Sequence, residues 1–216
     1  MRVRDIISEA PLPPEWDKSV FTPNVAYKKR IDYAVERAHR LGRGSSRTAV
    51  EIMYEGRATV LKVAHNIKGM AQNAAEAELL SDGYLGRLDI VIPIIDYDME
   101  HNEPVWIHTE KAEVATDYAL CTMMCCIDLD LLLSKASDMS HNTGFSKESK
   151  DAIINRYGEE GWETFVEYAG ELASLAKQGV DLGDFISNEN WGIYQGRPVV
   201  IDLGYTNDVR DTHYSF

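Results

Sequence analysis

Apolar and polar residues recur along this chain in blocks, and the spacing within each block predicts an element. In AYKKRIDYAVERAHRLG (26–42), Tyr27, Ile31, Ala34, Val35 and Ala38 fall three or four residues apart, on one helical face. Gly42 reads as the stop of that helix. TAVEIMY (48–54) and ATVLKVA (58–64) read as two strands, joined at Glu55-Gly56 by a tight hairpin. MAQNAAEAELL (70–80) is rich in Ala, Glu and Leu and predicts a second helix. IVIPIID (90–96), broken by Pro93, and PVWIHTE (104–110) read as two more strands. The pattern then turns helical. DYALCTMMCCIDLDLLLSKA (117–136) predicts one helix, a polar connector follows, and helices are expected over 146–157 and 161–178, with Gly179 as the final stop. The chain closes with a hairpin, DFISNENWGIYQGRPVVIDLG (184–204), and a short polar tail. A strand-rich front half and a helix-rich back half predict an α+β protein with two lobes. The leader before the first helix is Pro-rich and irregular, with PLPPEW (11–16) read as extended, and it would either wrap the first lobe or meet a partner.

Composition narrows the picture. The chain has 216 residues, 44% of them hydrophobic, enough for a core. Its formal net charge is −13, from 35 acidic and 22 basic side chains, which argues against a nucleic-acid partner. No run approaches the ~20 apolar residues of a membrane helix. The N-terminus lacks the apolar stretch of a signal peptide, so a soluble cytoplasmic protein is expected. Cys121, Cys125 and Cys126, an odd count within six residues, do not suggest a disulfide framework. On one helix, Cys121 and Cys125 would share a face; without a matching ligand pair they read as core thiols rather than zinc ligands. Trp106 and Trp191 also read as core, and the six histidines receive no role.

Four places carry candidate chemistry. In LGRGSSRTAVEI (41–52), Gly42 and Gly44 permit a tight bend near a ligand, Ser45 and Ser46 offer donors, and Arg47 could meet a phosphate. The same residues would also make an ordinary helix stop and polar turn. Lys62 lies inside the apolar run VLKVA, where a buried ammonium needs an anionic partner. Glu76 and Glu78 in the following helix are the candidate carboxylates, and Glu76 shares a face with Leu79 and Leu80. In the closing hairpin, Asp202 ends an apolar strand, and Asp184, Asn188 and Asn190 precede it. Such oxygens could hold a divalent cation against phosphate or accept a proton from a hydroxyl. Simple turn formation would also use them.

Glycine loop, lysine strand, helix with Glu, two strands, helices, then Asp…Asn…Asp-x-Gly is the running order of the protein kinase fold. The stretches LGRGSSRTAVEI, TVLKVAHNIKGMAQNAAEAELL and NWGIYQGRPVVIDLGYT resemble the small kinase-like proteins of tailed bacteriophages, from residue 40 to 206. The resemblance implies a bilobal, minimal kinase-like fold: an extension and helix over 1–40, an N-lobe and hinge over 41–112, and a truncated helical C-lobe over 113–216. It implies ATP and Mg2+ as cofactors. Gly42 and Gly44 would cover the ATP phosphates, and Ser45, Ser46 and Arg47 would complete that loop. Lys62 would contact the α- and β-phosphates and pair with Glu76. Glu110, Lys111 and Ala112 would form the hinge that meets adenine, with Thr109 as gatekeeper. Asp184 would be the catalytic base, and Asn190 and Asp202 the magnesium ligands. The acceptor implied is a Ser, Thr or Tyr hydroxyl of a protein in a bacterial host's cytoplasm.

Departures from the pattern are specific. Arg47 replaces the third loop glycine, and Leu182-Gly183 stands where His-Arg is usual. The Asp184-to-Asn190 spacing is one residue longer than usual, which leaves Asn188 as a rival amide and Asp181 as a rival base. Little chain follows Asp202, so no activation loop and no peptide-docking helices are expected. A pseudokinase acting as a binding module in infection or in the virion is therefore the alternative. Transfer of another part of ATP, such as AMP, is a third option.

Overall fold

The computed structural model describes Leu12–Tyr214. The chain divides into two compact units. One runs to Glu78 and resumes over Pro93–Lys111; the other takes Leu79–Ile92 and the chain from Ala112 onward.

The first unit is built on a five-stranded antiparallel sheet. Its strands are β1 (His39–Arg43), β2 (Arg47–Tyr54), β3 (Arg57–Ala64), β4 (Ile94–Tyr97) and β5 (Trp106–Glu110), in the order β1-β2-β3-β5-β4. Helix α1 (Tyr27–Arg37) precedes the sheet, and α2 (Ile67–Ser81) follows β3. Alternation along β2 and β3 buries Val50, Ile52, Leu61 and Val63 in a core shared with Ala34 and Met70. The N-terminal segment belongs to this core: Leu12, Trp16, Val20 and Phe21 are buried in it. Trp16, Phe21 and Tyr33 pack ring to ring at 5.6–5.8 Å, and the Tyr33 hydroxyl accepts the Asp17 N–H at 2.7 Å. PLPPEW is a turn rather than an extended segment where it is described, closed by Trp16 N–H to Pro13 O at 2.7 Å; Pro11 and everything before it lie outside the described residues.

Helix α1 stops five residues short of the predicted Gly42. Arg37 ends it, and His39–Arg43 joins the sheet edge as β1 instead. Pairing with β2 gives those backbone groups partners that one more helical turn would have supplied only to itself.

The second unit carries a three-stranded sheet in the order β6-β7-β8, from β6 (Glu113–Val114), β7 (Trp191–Tyr194) and β8 (Arg197–Val200). Its helices are α3 (Asp117–Met123), α4 (Leu129–Ser140), α5 (Lys147–Lys177) and α6 (Asn207–His213). The single helix expected over 117–136 is two, because Cys125 and Cys126 adopt left-handed φ of 53° and 54°. Asp128 then caps the second helix through Leu131 N–H at 3.0 Å. The cysteines are free thiols, none fully buried and Cys126 exposed, so the core-thiol expectation fails. Helix α5 bends at Gly158 (φ 78°), matching the two predicted helices, and Gly179 (φ 83°) ends the run. The polar tail holds α6, capped by Thr206. Trp106 and Trp191 are both buried, as expected. Among the described residues no helix is long and apolar enough to cross a membrane. Two compact units, one sheet-based and one mainly helical, give the predicted bilobal α+β architecture.

Candidate functional site

In the first unit the register of the sheet aligns the sequence-selected residues in two rows. Gly42 lies opposite Ala49, Ala49 opposite Lys62, and Lys62 opposite Ile107. The next row runs His39, Glu51, Val60, Thr109 and Ile94. Directly opposed residues share a sheet face, and residues two apart share it too. Gly42, Lys62 and Thr109 therefore face the same way, and Leu61, Val63 and His108 face the other.

Lys62 sits on the central strand and is 8% exposed. Its ammonium donates to Glu76 Oε1 from α2, and Glu76 is fully buried. Glu78, the competing carboxylate, is exposed. The other oxygen of Glu76 accepts from the Arg47 guanidinium at 2.5 Å. Arg47 Nη1 also reaches Asn73 Oδ1 at 3.3 Å, and Asn73 Nδ2 donates to Pro104 O at 3.1 Å. The sequence reading missed Asn73. It stands one turn before Glu76 on α2, so its place on the same face was legible from spacing.

The glycine loop is a hairpin turn bound to the start of α2. Gly44 N–H closes the turn on Arg47 O at 2.9 Å, so that donor is committed within the loop. Ser45 O accepts from Asn66 Nδ2 and Ser46 O from His65 N–H, both at 3.0 Å. Gly69 of α2 presses against the turn: a Cβ there would lie 2.1 Å from Ser46 O, so only glycine fits. Ser46 is buried, and its hydroxyl lies 3.4 Å from that of Ser45. Burial first, and Arg43 nearby second, lower the pKa of His65 beside this turn.

At the hinge segment, Thr109 is buried. Glu110 N–H donates to Pro93 O at 3.0 Å, so that donor is engaged within the unit. The Glu110 carboxylate binds Arg57 at 2.7 and 3.2 Å, raising the arginine's pKa. Lys111 binds Glu51 and lowers its pKa. Ala112 opens the second unit, where its side chain packs on Gly192 of β7.

In the second unit each candidate stands immediately before a buried apolar residue: Asp184 before Phe185, Asn190 before Trp191, Asp202 before Leu203. Phe185 and Trp191 meet edge to face at 6.2 Å, and Trp191 Nε1 donates to Phe185 O at 2.8 Å. These anchors hold two short 3-10 turns, Leu182–Ile186 and Asn188–Asn190. Asn190 Nδ2 donates to Asp184 O at 2.6 Å, and Ile201 N–H donates to Asn190 O at 2.9 Å. Asn190 is thus stitched to both Asp184 and the strand end that carries Asp202. The rivals have structural work elsewhere. Asp181 caps its turn through Gly183 N–H at 3.0 Å and binds Arg210 of α6 at 2.8 Å. Asn188 donates to Asp117.

The donor chemistry suits magnesium. Asp202 and Asn190 carry hard oxygens, and this ion commonly takes one or two protein oxygens and completes its shell with water and phosphate. Among the described residues no cluster of three His, Cys, Asp or Glu could hold a metal alone.

No protein-family profile matches the chain, and no curated protein matches it significantly. Among solved structures it is similar to aminoglycoside phosphotransferase APH(4)-Ia, with 13% identity and a TM-score of 0.35, covering 82% of this chain and 70% of that one. A thermostable mutant of that enzyme in ternary complex with ADP and hygromycin B gives 15% identity and a TM-score of 0.32, over 82% and 70%. Likeness this low bears no weight, and the functional reading rests on the side chains.

Proposed function

We propose that this protein is an ATP- and magnesium-dependent phosphotransferase of the protein-kinase-like kind. The observation that carries the reading is the buried Lys62–Glu76 pair: a mid-strand lysine whose carboxylate partner comes from the helix after that strand. Burying two charges is costly, and core packing alone would favour apolar residues there. In this reading Lys62 contacts the nucleotide's α- and β-phosphates, on a sheet face shared with Gly42 and Thr109. Asn190 and Asp202 hold magnesium, which when bound offsets phosphate charge in an acidic protein. Asp184 accepts the proton of the acceptor hydroxyl, and the competing functions of Asp181 and Asn188 support its selection together with Asn190. The acceptor is a Ser, Thr or Tyr hydroxyl of a protein, placed in a bacterial host by the sequence resemblance.

The alternative, a nucleotide-free binding module, draws support from the glycine loop. Its backbone groups at Gly44, Ser45 and Ser46 are engaged within the unit.

Thermal unfolding with and without MgATP separates the two. A ligand at ~100-fold over its Kd stabilises the fold by ~2.7 kcal/mol. Wild type should show that shift, and Lys62→Ala and Asp202→Ala should both lose it. No shift at millimolar MgATP would leave the binding module as the reading.

A further inference from the structure

We propose that Arg47 is a positioning residue that fixes Glu76 and, through it, the Lys62 ammonium, rather than a ligand of the nucleotide. The proposal rests on the reading that Lys62 meets phosphate, and it reassigns the residue standing where a third loop glycine is usual.

Three observations converge on it. Arg47 is 6% exposed, and its guanidinium lies against the buried side chains of Asn73 and Glu76 in the middle of α2. The two oxygens of Glu76 are divided between two cations, Oε1 to Lys62 and Oε2 to Arg47. A carboxylate gripped at both oxygens has its terminal torsion fixed, so the ammonium bonded to it has one position. With Arg47 gone, Oε2 would lose a charge-assisted bond in a buried place, and Glu76 could rotate. Arg47 is itself braced by Asn73, whose amide spans to Pro104 O.

The rest of the turn supports this role. His65 N–H, Asn66 Nδ2 and the bare Cα of Gly69 all engage Ser45 or Ser46 carbonyls. Arg47 follows directly and extends that contact down α2 by two turns, from Gly69 to Glu76. A glycine at 47 would leave the loop free of the helix carboxylate. The arginine makes loop, helix and lysine one mechanical piece.

The test is a double-mutant cycle on MgATP affinity, measured by calorimetry for wild type, Arg47→Lys, Glu76→Gln and the double variant, with adenosine as the control ligand. Arg47→Lys keeps the charge and loses the planar guanidinium whose Nη1 joins Glu76 to Asn73. Each single change should weaken MgATP by about tenfold, the scale of coupling between residues in contact. Adenosine binding should not change, and the double variant should be no weaker than Glu76→Gln alone. Losses that multiply would mean that Arg47 meets phosphate itself, and a wild-type affinity in Arg47→Lys would mean that it positions nothing; either result overturns the proposal. Asn73→Ala, which removes only the brace, should repeat the pattern at smaller size and serves if Arg47→Lys does not fold. Should wild type bind no MgATP, the phosphotransferase reading fails by itself. The positioning claim is then decided by the acetylation rate of Lys62 with acetic anhydride, mapped by mass spectrometry. Arg47→Lys should raise that rate severalfold, and an unchanged rate overturns it.

Discussion

In the first unit Lys62, Arg47 and Glu76 are buried and bind one another; in the second, Asp184, Asn190 and Asp202 are half-buried and are placed by the backbone around them. The first arrangement is rigid because a buried charge without its partner is very unfavourable. The second is placed by apolar anchors one residue away, Phe185, Trp191 and Leu203, and its members stay half-buried. In the phosphotransferase proposed above the contrast would match two tasks: a cation that must meet a fixed phosphate would gain from being locked, whereas metal ligands and a base would need access to water and protons.

The contrast can be broken most directly at Glu76. Glu76→Ala strips two buried cations of their shared carboxylate and should destabilise the protein by about 3–5 kcal/mol. Asp202→Ala should cost under about 1 kcal/mol, within the usual range for a partly exposed residue. Urea unfolding measures both; similar losses would dissolve the distinction.

A second buried group sharpens it. His108 is 1% exposed and burial pushes its pKa down to about 4. Thr59 Oγ1 donates to Ile52 O, so its oxygen accepts from His108 Nε2, at 2.7 Å. The neutral tautomer protonated at Nε2 is the folded form. The folded pKa lies below the unfolded value, so this contribution is full above pH 6.5 and is lost as pH falls toward 4. Between pH 7 and pH 5 wild type should lose about 2 kcal/mol that His108→Gln does not lose. Equal pH dependence in both proteins would place the imidazole in water.

The smallest effect tests what the units share. Each has a two-residue hairpin with both central residues at positive φ: Glu55 (48°) with Gly56 (79°), and Gln195 (51°) with Gly196 (80°). Gly56→Ala and Gly196→Ala should each cost about 1 kcal/mol by calorimetry. A cost at only one hairpin would show that the two turns are not equivalent.

Much of the site was legible before any coordinates. Lys62 stood out because an ammonium inside VLKVA needs a partner, and Glu76 could be chosen over Glu78 by helical phase. The first hairpin followed from Glu55-Gly56, and the closing segment also read as a hairpin. Other features were not legible. Two left-handed cysteines split an apolar helical pattern, and nothing local marks them. Strand β1 was hidden because HRLGR also continues a helical period, and only the edge of β2 gave it somewhere better to go. The minimal β6 strand and α6 depend on β7 and on the Asp181–Arg210 bond.

The sequence by itself determined which residues had to find partners: a lysine among valines, aspartates and an asparagine beside apolar neighbours, glycines at sharp turns. Local pattern suffices there, because burial and backbone sterics act on each residue wherever it lands. Beyond the Lys62–Glu76 pair, only the tertiary structure decided who those partners are. Arg47 holds Glu76 from 29 residues away, Asn188 turns to Asp117, and Asp181 serves α6. Pairing across such distances depends on sheet register and helix placement, which are set by the core as a whole.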